Sequence, residues 1–360
     1  MNFKTLQKSD ADFKKYLMGT FSNTDVAIPV KTLNVGTVNE TVTFEIVKMI
    51  EIQRPKYFVF LAHLIKLRTY LLIMIPLFYV AFKNYLDDRF FDPISFFCAS
   101  VAILFLYAGL NLRSDLNDHI SGFDRVIEPT SPKPLLKGWI TGSEADFMSL
   151  VFIAISALLA VPVFILQKEE IRVVAVVVIL FIIGQFFKKN SYKNQRLGEI
   201  ILFLLIGPGL CSGLQVALGS GIDTEILFFG SLWGIAVLFL VHLNNFSHLL
   251  SSSQAGIHNT MNKMGFDSSK KFLVFWLVLL NVFWILFHHF YAGTFWMWFV
   301  GLVFIFWSIP TAIEFSNISS PLGSDLLSAK KTGYKNFLLM IVLFFIEQIW
   351  YLGNKINWTL

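Results

Sequence analysis

Asn111, Asp115 and Asp118 stand at i, i+4 and i+7, directly after an apolar run that ends at Leu110. On a helix these offsets fall within about 60° of one another, so three oxygen-bearing side chains share one face. Carboxylate and carbonyl oxygens in that arrangement suit a hard cation such as Mg²⁺, which commonly binds substrate phosphate at the same time. The alternative is a solvated loop that opens where a membrane helix stops. The rest of the chain decides between the two.

The elements that must carry these residues are membrane helices. Of 360 residues, 55% are hydrophobic and 15% are charged, where a soluble domain carries about 25% charged residues. Apolar stretches close to the length of a bilayer crossing recur along the chain. Spans are expected at 67–83, 94–112, 146–166, 172–187, 197–217, 225–246, 272–289, 294–310 and 335–352. Lys and Arg concentrate in the loops after the second, fourth, sixth and eighth spans. By the positive-inside rule those loops and the N-terminus are cytoplasmic, and the C-terminus is outside. All the polar motifs then fall on one side.

The fold expected is all-α, a polytopic bundle of about nine transmembrane helices around a central cavity open to the cytoplasmic side. Residues 56–360 form this domain, set in the cell's inner (plasma) membrane. Residues 1–55 form a polar N-terminal extension without the apolar core of a signal peptide. Alternation from Thr37 to Ile46 suits a short strand pair there. Arg54, Pro55 and Lys56 lead into an apolar stretch broken by Lys66 and Arg68, an interfacial approach to the first span. Cys98 and Cys211 lie inside apolar runs and suggest no disulfide framework. The basic residues sit in connecting segments, which argues for membrane topology and phosphate contact and against nucleic acid.

Asn111 to Asp124 reads Asn-Leu-x-x-Asp-x-x-Asp-x-x-x-Gly-x-Asp. It resembles the first aspartate-rich motif of the UbiA superfamily of intramembrane prenyltransferases, and looks most like the branch that prenylates 1,4-dihydroxy-2-naphthoate. Lys133, Pro134, Gly138 and Ile140 resemble the segment that follows this motif in the family. Tyr192, Leu197, Gly198 and Glu199, with Phe203, Gly207 and Pro208, resemble a later segment of the naphthoate branch. The resemblance covers about residues 60–350 and its pieces occur in order.

It implies Mg²⁺-dependent transfer of a prenyl group from a polyprenyl diphosphate to a small aromatic, quinone-precursor-like acceptor. Asn111, Asp115 and Asp118 would be the catalytic, metal-holding residues. Lys133, Tyr192, Arg196, Asn244, Asn245, His248, His258 and Lys263 would line the substrate. Arg125 and Lys189 are further basic residues of the same loops. An intramembrane end charge such as Glu199 is a functional candidate by default, or an interfacial partner of Arg196.

The pattern breaks at the second family motif. Asn244, Asn245, Ala255, Gly256 and Gly265 keep its frame, but Ser247 stands where Arg is expected. His248 and Ser252 stand where two Asp are expected, and Ile257 replaces Lys. His and Ser are poor ligands for a hard ion. The expectation is a one-metal site in which His258 and Lys263 partly replace the missing cation. The rival readings are a UbiA-type terpene cyclase and a non-catalytic prenyl- or quinone-binding membrane protein.

Overall fold

The computed structural model describes residues 2–126, 132–167, 179, 198–254, 259–291 and 295–355. Among them, eight helices are long and apolar enough to cross a membrane. They cover every expected span except 172–187, which lies outside the described residues. Gln167 is at one end of the bundle, bonded to Asp92 at 3.3 Å.

Leu71–Leu86 and Pro93–Ser121 run in opposite directions. The end of Leu71–Leu86, the start of Pro93–Ser121 and the end of Ser324–Lys355 meet at one face, where Lys355 reaches Asp88 at 2.6 Å. We call this the far face. The opposite face, the motif face, carries residues 111–124, Lys133 and residues 244–252, whereas Gly207 and Pro208 pack inside the bundle. Thr224–Ser247 is the central helix: 72% of its apolar window is buried, against 17% for the peripheral Gly142–Leu166. Around it Tyr79, Phe229 and Phe344 stack, with Tyr79 and Phe229 ring centroids 3.8 Å apart. The helix Gly198–Leu204 passes through a π turn at Leu205–Gly209 and crosses Thr224–Ser247 closely. A Cβ on Gly207 would lie 2.5 Å from the Gly230 carbonyl oxygen, and one on Gly230 2.7 Å from Pro208 Cα. Only glycine permits that backbone approach.

The helix that bears Asn111, Asp115 and Asp118 is much longer than its apolar run. It spans Pro93–Ser121, 29 residues, or roughly 44 Å at 1.5 Å per residue. Asp92 starts it, accepting hydrogen bonds from the Ile94 and Ser95 amides, with Pro93 in the first turn. Nothing in the sequence stops it until Gly122, which takes the left-handed conformation (φ 87°) at the C-cap. A hydrocarbon core is about 30 Å thick, so the last turns project beyond it. Two other expected spans also continue as helix toward the motif face, in Thr260–Tyr291, which turns at Gly265, and in Ser324–Lys355. Hydropathy marks where a helix leaves hydrocarbon, and caps mark where it ends.

The N-terminal region corrects the all-α expectation. Strands β1 (Asn2–Gln7), β2 (Asp25–Leu33) and β3 (Thr41–Lys48) form an antiparallel sheet in the order β1-β3-β2, with a helix at Phe13–Met18. The alternation at Thr37–Ile46 supplies one central strand, not a hairpin, and its partners come from both sides in sequence. Leu6, Phe13, Leu17, Val42 and Phe44 give the module its own core. It docks on the motif face. Glu40 and Arg125 form an ion pair with side-chain exposures of 1% and 2%. Lys8 adds a second cation to Glu40 at 2.9 Å, and Arg125 donates to the His119 carbonyl at 2.8 Å. Gly19 and Val35 of the module press on Thr141 and Gly122.

Removing one partner of a buried pair leaves the other charge uncompensated, at a cost of about 3–5 kcal/mol. Glu40→Ala is therefore expected to undock the module. The measurement is limited proteolysis of the detergent-solubilised protein between residues 49 and 56, together with its unfolding midpoint. Cleavage should accelerate and the midpoint should fall. An unchanged pattern would show that the pair does not hold the module.

Candidate functional site

Asp115 and Asp118 are each 8% exposed, on the overhanging end of Pro93–Ser121. Asn111, one turn before, donates from Nδ2 to the Ile65 carbonyl and to Thr69 Oγ1, both at 3.4 Å. Asp115 pairs with Lys66 at 2.5 Å. Lys66 lies between the helix Tyr57–Leu64 and the 3-10 turn Leu67–Tyr70, in the left-handed region at φ 55°. A lysine gains nothing locally from that conformation, and here it comes with an ammonium at the carboxylate helix. Burial alone would lower the Lys66 pKa, but Asp115, then Asp118 and Asp124, hold it well above its ordinary range.

The chain then turns at Gly122 into Phe123–Val126. Asp124 is 1% exposed and pairs with Lys133. Burial raises its carboxyl to about 6, and Asp118 and Asp115 add to the rise against the pull of Lys133. Arg113 pairs with Asp146, tying the carboxylate helix to Gly142–Leu166. That neighbour is started by a capping box between Thr141 and Glu144.

The end of Thr224–Ser247 lies at the same face, and the following helix Leu249–Gln254 packs on Phe123–Val126. Lys330, on the closing helix Ser324–Lys355, donates to Ser247 Oγ at 2.9 Å and Asn244 Oδ1 at 3.3 Å. Its ammonium is 3.5 Å from His248 Nε2. The His248 pKa falls to about 4, first through burial, then through Lys330 and Lys133. The packing of Leu249–Gln254 on Phe123–Val126 sets the two halves of the site against each other. Asn245 is partly buried beside them, and Ser252 is 1% exposed inside Leu249–Gln254.

Asn111, Asp115, Asp118, Lys133, Asn244, Asn245 and His248 therefore gather at one face. Lys263 is exposed at the start of Thr260–Tyr291 and forms no ion pair among the described residues. Tyr192, Arg196, His258 and Lys189 lie outside the described residues. Two lysines at the site were not singled out from sequence. Lys66 carried a usable signal, a charge inside an apolar stretch. Lys330 sat in a Lys-Lys pair that reads as ordinary positive-inside topology.

The donor set is oxygen-only: two carboxylates and an amide. Among the described residues no group of three or more His, Cys, Asp or Glu is placed to hold a metal ion. An open set of this kind fits Mg²⁺, which keeps waters and uses one or two carboxylates plus substrate phosphate.

These features define a polytopic helical membrane protein whose motif face brings carboxylates and lysines together. Its fold is that of solved UbiA homologues. One, from Archaeoglobus fulgidus and bound to GPP and Mg²⁺, superposes with a TM-score of 0.54 at 15% identity, covering 79% of this chain and 98% of that one. The same homologue bound to DMAPP and Mg²⁺ gives 0.54 at 14% identity, over 79% and 98%. A structure of digeranylgeranylglyceryl phosphate synthase gives 0.56 at 16% identity, over 80% and 97%. No protein-family model matches the sequence, and no curated protein matches it.

The low His248 pKa has a testable sign. The folded state disfavours the charged imidazolium, so His248 contributes stability that is present above about 6.5 and is lost as pH falls toward 4. His248→Gln, which is neutral throughout, should lose less stability than wild type over that window. Unfolding midpoints in detergent from pH 7 to 4 would read the difference. Parallel curves would mean that His248 titrates normally.

Proposed function

We propose that the chain is a UbiA-type membrane prenyltransferase that moves a prenyl group from a polyprenyl diphosphate to a small aromatic, quinone-precursor-like acceptor. The observation that carries this reading is the oxygen face of Asn111, Asp115 and Asp118 on a helix overhang, opposed by lysines, in a fold shared with a homologue bound to GPP and Mg²⁺. Asp115, Asp118 and the Asn111 amide would hold Mg²⁺. The ion supplies charge neutralisation for the leaving diphosphate.

The chain's own residues do the rest. Lys66 and Lys133, which rest on Asp115 and Asp124, bind and orient diphosphate oxygens. Their charges favour the state in which the diphosphate carries the bonding electrons away. His248 is neutral at physiological pH and leaves the positive charge to the lysines. The hydrocarbon tail would lie among the apolar helices, with the reacting end at the motif face.

A second reading has its own support. No carboxylate occurs from Asn244 to Ser252, which favours a chain that binds prenyl diphosphate and cyclises it, or binds it without turnover. Product analysis of the purified protein separates the three, using prenyl diphosphates of several lengths with and without aromatic acceptors. Acceptor-dependent prenylation supports the transferase, acceptor-independent hydrocarbon the cyclase, and binding without product the binder.

Asp115→Ala and Asp118→Ala are each expected to weaken Mg²⁺-dependent donor binding by more than about tenfold, with folding retained in detergent. Calorimetry across a Mg²⁺ titration measures it, and wild-type affinity in both variants would remove these residues from the site.

The motif face is proposed to be cytoplasmic, on the Lys and Arg bias. A reporter inserted at Gly265 should then be active inside the cell and one fused after Leu360 outside. Both on one side would contradict the nine-span topology.

A further inference from the structure

Lys330 differs from the ion-paired cations at this face. Lys66, Lys133, Arg113 and Arg125 each meet a carboxylate, at Asp115, Asp124, Asp146 and Glu40. Lys330 meets only neutral acceptors: the Ser247 hydroxyl, the Asn244 amide oxygen and the His248 imidazole. No carboxylate lies within ion-pair distance of it among the described residues. It is half-buried, and its charge helps to keep His248 neutral. A half-buried ammonium with dipoles but no counter-charge is costly unless an anion joins it. The three acceptors fix where it points and leave its charge unspent.

The place of that charge is informative. The opposite wall can hold a divalent ion on Asp115 and Asp118. The wall of Asn244, Ser247 and His248 has no anionic ligand with which to hold another. Leu249–Gln254, next to His248, packs on Phe123–Val126, whose Asp124 holds Lys133, so the two halves and their lysines meet at one place. Two phosphoryl groups joined end to end would meet a metal-binding wall on one side and an ammonium on the other.

We propose that Lys330 is a substrate-binding residue for the diphosphate, a cation built into the chain that contacts the anion directly, so that the site works with one divalent ion. This rests on the prenyl diphosphate reading above and adds to it a residue, a stoichiometry and the wall on which each holds. An ammonium cannot be chelated away, so the half of the site it serves does not depend on free Mg²⁺.

The test uses the full chain in detergent with inorganic diphosphate and geranyl diphosphate as probes at saturating Mg²⁺. Calorimetric affinities are compared for wild type, Lys330→Ala, Lys330→Gln, Lys330→Arg and Lys331→Ala. Bound Mn²⁺ is counted by electron paramagnetic resonance with diphosphate present. Lys330→Ala and Lys330→Gln should each lose about 10- to 150-fold in affinity, the range of a charge-assisted contact. Lys330→Arg should keep most of it. Lys331→Ala, an exposed neighbour, should change little and so controls for general charge. Lys330→Gln keeps hydrogen-bonding capacity near Ser247, and unfolding midpoints report any structural loss separately. Wild type should bind one Mn²⁺ per chain. Unchanged affinity in folded Lys330→Gln, or two Mn²⁺ ions in wild type, would overturn the proposal while the prenyl diphosphate reading stands. No binding of either probe by wild type would remove that reading and this proposal together.

Discussion

The whole arrangement depends on a mismatch between helix length and bilayer thickness. Charged groups are expensive in hydrocarbon, yet the chemistry needs them rigidly held. A loop would place them in water without fixing them. Here the helices continue past the apolar zone until Gly122 or a comparable signal stops them, and the charges ride on the overhang. Asp115, Asp118 and Lys330 are all carried this way, from two different helices. The backbone bonds of each helix run unbroken from the buried bundle into the site, so packing deep in the membrane positions polar atoms at its edge.

Electrostatic balance then sets what each wall can do. On the carboxylate wall, Lys66 and Lys133 neutralise Asp115 and Asp124. On the other wall a lone ammonium is spread over neutral acceptors. On the proposed function, the first wall would hold a cation and the second an anion, as a metal-bound diphosphate requires.

Much of this was legible in the sequence for physical reasons. Apolar length locates crossings, and i, i+4, i+7 spacing put Asn111, Asp115 and Asp118 on one face whatever the tertiary fold. Three things were not legible. The end of a membrane helix is a capping event, and hydropathy is blind to it, so the second span was read as stopping near 112. The alternation at Thr37–Ile46 marks a strand but not its pairing, because β3 draws its partners from residues 2–7 and 25–33 and no local pattern encodes that. Lys330 was read as topology because its meaning comes from Asn244 and Ser247, more than eighty residues earlier. The resemblance at the first motif agreed with the fold comparison, whereas the naphthoate-like details rest partly on Tyr192 and its neighbours, outside the described residues.

The buried pair between Glu40 and Arg125, 85 residues apart, has a consequence for how the chain is made. The sheet is synthesised first, but its buried carboxylate has no guanidinium until the helix Pro93–Ser121 has been threaded into the membrane and its overhang has emerged. Until then the module must wait with Glu40 solvated, and long-range closures of this kind are slow. Docking of the sheet is thus a late step in biogenesis. It also reports on insertion: a second helix in the wrong orientation would strand Arg125 across the bilayer from its partner, and the N-terminal module would be left undocked, open to the proteases that clear misassembled membrane proteins.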